Sequence, residues 1–175
     1  FDAVGPPLIP DCQDGSPRGG AATMTYFTHI ADVEVDVETG EVKILRLVCS
    51  HDVGQIINQV AIVGQLQGGA TQGIGYALIE EVVYSGGVVT NPTLMDYKVP
   101  NILDIPPIEC RFIEEPEPTG PFGTKGFSEG VLVPTAAAIA NAVYDAVGVR
   151  VTDLPVTPEK VLSGLSAGAG AGNVS

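Results

Sequence analysis

The residues with most chemical potential stand in a Gly-rich stretch, Thr119-Gly120-Pro121-Phe122-Gly123-Thr124-Lys125-Gly126-Phe127-Ser128-Glu129-Gly130. Glu129 is a lone carboxylate there, close to an aromatic residue and just ahead of an apolar helical run. A helix N-terminus favours the ionised form of a nearby carboxylate, the form that a general base needs. An exposed glutamate that only complements the helix dipole would have the same surroundings. A phosphate-binding P-loop is excluded, because that motif needs Gly directly before its Lys and Ser or Thr after it. Thr124 and Gly126 stand in those places.

A second candidate lies in residues 60–78. Val60, Val63, Leu66, Ala70, Ile74 and Ala77 recur every three or four residues, which predicts a helix. Gly64, Gly68, Gly69, Gly73 and Gly75 interrupt it, each costing about 1 kcal/mol relative to Ala in a helix interior. At the helical turn angle Gln65, Gly69 and Gln72 share one line, so two amides flank a bare patch. A cofactor or substrate could lie on that patch, or another helix could pack there. His51-Asp52 could form an acid–base pair or cap a turn, and with two histidines in the chain a His-rich metal site is not expected. His29 carries no stronger signal.

These residues need elements to hold them. Residues 31–37 alternate strictly between apolar and charged, the mark of a strand with one wet face. Glu38-Thr39-Gly40-Glu41 supplies a turn, and 42–50 returns as a second strand. Its phase shift at Ile44-Leu45 predicts a bulge or burial on both faces. Short strands at 82–84 and 88–90 flank Ser85-Gly86-Gly87, and 108–113 is a further strand. Residues 91–107 carry four prolines and read as loop. A helix over 134–147 has Pro134 in its first turn and Gly148 as C-terminal cap. Thr157-Pro158 starts a last short helix. The organisation expected is an extended Pro/Gly-rich arm at 1–21, one lobe at 22–162 and a disordered Gly/Ala-rich tail at 163–175. The class is α+β, a hairpin-rich mixed sheet with two main helices.

With 8 Lys+Arg against 21 Asp+Glu, the formal net charge of −13 argues against nucleic acid or an anionic membrane as partner. No uninterrupted run of 18 apolar residues predicts a membrane span, and Phe1-Asp2-Ala3-Val4 lacks the start of a signal peptide. Cys12, Cys49 and Cys110 suit neither a disulfide framework nor an iron–sulfur or zinc site, so a reducing cytoplasm is expected. Charged residues at 17% are few for a free-standing domain of this size, a composition that fits coverage by another chain as well as it fits a compact acidic globule.

Four blocks, read in order, resemble one family. They are the hairpin 31–40 leading to His51-Asp52-Val53-Gly54; Gly64-Gln65-Leu66-Gln67-Gly68-Gly69-Ala70-Thr71-Gln72-Gly73; Gly120 to Glu129 with the helix after Pro134; and Thr152-Asp153-Leu154-Pro155-Val156-Thr157-Pro158-Glu159-Lys160. Over residues 22–162 the chain resembles the C-terminal part of the molybdopterin-binding subunit of xanthine dehydrogenase/aldehyde oxidoreductase molybdenum hydroxylases. The resemblance implies that Glu129, closing Gly-x-Lys-Gly-x-x-Glu, is the base for oxygen transfer from water to an electrophilic carbon of a heterocycle or aldehyde. It implies that Gln65 hydrogen-bonds a molybdopterin-type cofactor, in the plain or the cytosine-dinucleotide form; Gly69 and Gln72 are expected beside it from the shared helical face, and Lys125 is expected at the cofactor too. Ser128-Glu129-Gly130 departs from the family's frequent Gly-Glu-Pro, which is expected to loosen the loop.

The resemblance also implies that cofactor contacts and substrate gating lie on segments that these residues do not include. The cofactor would be shared with the rest of the molybdopterin subunit, and iron–sulfur and FAD groups would sit on partner chains or domains. Two readings from other classes stand beside the enzyme. One is a non-catalytic assembly module that keeps the fold; the other is a small-molecule-binding domain using the Gln65/Gln72 face.

Overall fold

A computed structural model describes residues 24–118 and 120–171. The arm expected at 1–21 lies outside the described residues.

The hairpin forms as its alternation requires. Strand β1 (Phe27–Val35) pairs antiparallel with β2 (Val42–Asp52). Asp36 starts the turn, its carboxylate accepting from the amides of Glu38 and Thr39 at 2.8 and 3.1 Å. Gly40 ends the turn at φ 78° and lies against Pro158 and Leu162, where a side chain would collide. The register slips between Asp32↔Arg46 and Val33↔Ile44, leaving Leu45 unmatched and exposed. That is the bulge that the phase shift anticipated.

Helix α1 (Gln59–Leu78) follows, capped by Asn58, whose side chain accepts from the Ala61 amide at 3.0 Å. Strands β3 (Tyr84–Ser85) and β4 (Val88–Val89) make a small hairpin around Gly86 and Gly87, both at positive φ. Strand β5 (Ile108–Ile113) adds to β2 in parallel, giving a mixed three-stranded sheet of order β1-β2-β5. Helix α2 (Val133–Val147) ends on Gly148 at φ 72°, the left-handed cap expected.

Helices cover one face of the sheet. Ile44, Leu47 and Cys49 of β2 meet Leu66, Ala70, Ile74 and Ala77 of α1 and Ile139 of α2, all buried. The other face is wet and carries Asp32, Arg46, Glu109 and Arg111 as a ladder of exposed ion pairs across the three strands. Cys49 and Cys110, distant in sequence, stand in register on β2 and β5 as free thiols, and burial pushes Cys49 up to about 12. The segment Glu129–Val147, with mean hydropathy 1.4, is long and apolar enough to cross a membrane although polar residues interrupt it, against the expectation of no such span. In this fold its Ile139 and Val143 are fully buried core residues.

One expectation is corrected. Residues 163–171 do not form a structureless tail; helix α3 (Pro158–Ala171) runs through them. Val161 is buried with Val143 and Val156 in a second core, Leu165 packs against that core, and Gly164 sits tight on Val149. Small side chains there allow close packing.

Candidate functional site

The Gly-rich stretch runs as a strap from the end of β2 to the start of α2. At its entry Gly54 and Thr124 form an isolated β-bridge; Gln55 donates to the Gly123 carbonyl at 2.9 Å and Lys125 to the Val53 carbonyl at 3.1 Å. Gly54 and Gly123 both have positive φ, and a side chain on Gly54 would strike the Gly123 carbonyl. At its exit Glu129–Val131 is a 3-10 turn leading through Leu132 into α2. Glu129 is therefore held by both of its flanks while its own side chain stays exposed.

Glu129 looks onto α1. Gln65 donates from Nε2 to the Ser128 carbonyl at 3.3 Å, linking the helix to the residue before Glu129. Gln72 donates to the Tyr76 hydroxyl at 2.7 Å. Both glutamines border, with Glu129 and Ser128, an open cleft of about 160 Å³.

The glycines of α1 divide into two sets. Beside Gly64 and Gly68 an added Cβ would meet none of the described residues within 4 Å, so among these residues the two leave the cleft floor bare. At Gly69 it would land on Val131, and at Gly73 on Thr135. The bare patch expected at Gly69 is thus corrected: Gly69 borders the cleft, but Val131 fills the space beside it. The two residues of the strap and α2, four apart, seat on two glycines four apart. Gly64 and Gly68 were visible in the sequence as glycines, but the neighbour that leaves them free could not be read there.

Lys125 is a second correction. Its ammonium does not face the cleft; it pairs with Asp52 Oδ2 at 2.5 Å, both side chains about nine-tenths buried. Asp52 also accepts from the Gly54 amide at 3.3 Å. The carboxylate raises the Lys125 pKa through its hydrogen bond, so the ammonium keeps its charge at neutral pH. Asp52 was not singled out from His51-Asp52 as more than a turn or acid–base candidate, because its partner lies 73 positions away. Gly130 corrects a third expectation: it is not a loosening but a tight contact, since a Cβ would lie 2.5 Å from the Phe27 ring.

Beneath the strap His29 and His51 form a buried pair, Nε2 to Nε2 at 2.6 Å, and His29 Nδ1 meets Thr135 Oγ1 at 3.0 Å. His51 Nδ1 is buried without a partner among the described residues. A bare acceptor is less costly there than a stranded N–H. His51 therefore donates through Nε2–H to His29, and His29 donates through Nδ1–H to Thr135. Burial lowers both pKa values to about 4, with charge on His29 adding to the effect at His51, so both rings are neutral. Phe127 packs edge-on to His51 at 5.5 Å and to Phe112 at 6.1 Å, which seats the strap on the sheet.

The family model of the molybdopterin cofactor-binding domain matches residues 8–106. A xanthine dehydrogenase molybdenum-binding subunit from Escherichia coli O157:H7 is 43% identical over 132 residues, 74% of this chain and 18% of that protein. An aldehyde oxidoreductase from Megalodesulfovibrio gigas is 40% identical over 143 residues, 81% of this chain and 15% of that protein. Among solved structures, quinoline 2-oxidoreductase from Pseudomonas putida 86 superposes with a TM-score of 0.75 at 36% identity, covering 79% of this chain and 18% of that one. The chain thus spans under a fifth of the length of these relatives. The family model spans more than half of the chain and the relatives align with about three quarters of it or more, and the chain belongs to the molybdopterin cofactor-binding domain family of xanthine dehydrogenase and aldehyde oxidoreductase molybdenum-binding subunits.

Proposed function

We propose that this lobe forms the base-bearing wall of a molybdenum hydroxylase active site, in which water-derived oxygen is added to an electrophilic carbon of a heterocycle or aldehyde. The observation that carries this reading is the position of Glu129, exposed at the rim of a cleft whose floor is bare at Gly64 and Gly68. Relatives named for aldehydes and quinoline, and a nicotine 6-hydroxylase large subunit from Paenarthrobacter nicotinovorans at 40% identity, support the substrate class.

The residues fit one edge of a molybdopterin. The open glycine floor would admit a flat ring edge, and the amides of Gln65 and Gln72 can donate and accept at it. The cleft lining includes no cation, and the Lys125 ammonium is held by Asp52, so an anionic phosphate end belongs against another segment. A cleft of this size does not enclose the cofactor, which is why the remainder of the subunit is required. When bound, the molybdenum centre supplies the two-electron oxidation. Gln65 keeps Ser128 against α1 and thereby fixes where Glu129 projects. The Glu129 carboxylate accepts the proton released as water-derived oxygen attacks carbon. Iron–sulfur and flavin or other acceptors on partner chains would take up the electrons, in a cytoplasmic setting that would suit the free Cys49 and Cys110.

Glu129→Gln in the full assembled enzyme tests this. It keeps size and hydrogen-bonding reach but cannot take the proton, so kcat is expected to fall by about 10²–10⁴ with molybdenum content unchanged. A fully loaded variant within a few-fold of the parent would leave the family relation as one of fold, and the lobe as an assembly module.

A further inference from the structure

We infer that Asp52 and Lys125 form a positioning clamp that sets where Glu129 stands, and that Lys125 acts through the strap instead of by contact with the cofactor. The inference rests on Glu129 as base. Lys125 enters the strap four residues before Glu129 and is fixed to the end of β2 twice, through its amide on Val53 and its ammonium on Asp52. Asp52 in turn is fixed by pairing in the sheet, its neighbour Ile113 facing it across β5. The clamp closes one end of a short span whose other end is Val131 in its notch at Gly69. Only five residues lie between these two anchors, so freedom at Lys125 is passed to Glu129 with little chain to absorb it.

A buried ion pair is a poor source of net stability, because desolvation offsets most of the attraction, and its better attested use is fixing one arrangement among several. Here the arrangement is the strap's entry. The backbone bridge at Gly54 and Thr124 fixes the strand-like pairing, but two hydrogen bonds and two positive-φ glycines leave a hinge-prone junction. The ion pair crosses that junction outside its backbone. Removing Lys125 strands the Asp52 carboxylate in a nearly dry place, while neutralising Asp52 leaves the ammonium only the attraction of Glu117 and Glu115, which draws it out of the clamp.

The test uses the full subunit in its assembled complex, with Asp52→Asn, Lys125→Met, Lys125→Arg and the Asp52→Asn/Lys125→Met double variant. Asp52→Asn keeps the acceptor for Gly54 and provides a variant that folds should Lys125→Met not assemble. A misplacement of about 1 Å costs on the order of 10² in rate. The expected result is kcat per bound molybdenum down by about 10- to 100-fold in each single variant, with KM within about threefold and molybdenum content near the parent's. The double variant should be no worse than the singles, and Lys125→Arg should recover most of the rate. Hydrogen exchange should quicken at the Lys125 and Gln55 amides while the Cys49 amide is unchanged. Molybdenum lost in step with activity would overturn the proposal, since Lys125 would then hold the cofactor. So would kcat within twofold of the parent despite faster exchange in the strap. Glu129→Gln measured alongside separates the two ideas: if it stays active the base assignment fails by itself, whereas the exchange data judge the clamp in either case.

Discussion

The division of α1 glycines into a filled and an open set can be measured as a difference between neighbours. Gly68→Ala and Gly69→Ala add the same methyl, one residue apart, in the interior of the same helix. Each gains about 1 kcal/mol of helix propensity, so that term cancels between them. At Gly68 the methyl enters open space. At Gly69 it overlaps Val131 Cγ2 and lies 3.0 Å from its Cβ, and Val131 is 1% exposed and cannot turn aside. Overpacking of this kind costs about 1–3 kcal/mol. For a chain of this size about 1 kcal/mol moves Tm by roughly 2–4 °C, so Gly69→Ala should melt about 2–12 °C below Gly68→Ala. The assay is thermal unfolding of both variants by circular dichroism. Val131→Ala sharpens it: trimming Val131 opens the notch, so the double variant Gly69→Ala/Val131→Ala should be more stable than the sum of the singles predicts. Equal melting temperatures for the two glycine variants, or strict additivity with Val131→Ala, would refute the packing scheme and return Gly69 to the open face.

The histidine pair makes stability depend on pH. Each folded pKa is depressed, so its contribution is full above the unfolded value near 6.5 and is lost as pH falls toward about 4. Between pH 7 and pH 5 the unfolded chain takes up protons that the folded pair excludes, which should cost about 2 kcal/mol for each ring, read from urea midpoints; an unchanged midpoint would contradict the neutral pair. Gly130→Ala should destabilise by about 1–3 kcal/mol through the Phe27 ring, with Phe27→Ala relieving the clash in the double variant. The 175-residue chain alone should carry no stoichiometric molybdenum by metal analysis, because its cleft offers one wall of a site.

The hairpin was legible because alternation of period two specifies a face, and the Leu45 bulge because a bulge breaks that period locally. Gly148 was legible as a cap because left-handed backbone has a strong residue preference. The glycine face of α1 was legible only in part: helical spacing places Gln65, Gly69 and Gln72 on one side, but which glycines are filled depends on Val131 and Thr135, more than 60 positions onward. Lys125 and Asp52 are linked by the parallel addition of β5 and the return of the strap, neither of which leaves a local pattern. The His29–His51 pair depends on register between two strands. Residues 163–171 misled because Gly and Ala composition resembles a tail, while Val149 and Leu165 make a helix worthwhile there.

The bond from His29 to Thr135 joins residues 106 positions apart, and both apolar cores are completed by residues beyond position 138. A ribosome therefore releases most of this lobe before either core can close. While the chain emerges, the inner faces of β1, β2 and α1 have only one another for cover, and Leu47, Leu66 and Ile74 wait for Ile139. Val33 and Val42 wait longer, for Val143, Val156 and Val161. At synthesis rates of about 5–20 residues per second that exposure lasts several seconds. The lobe is thus built to be finished late, with its apolar strands uncovered until α2 and α3 arrive.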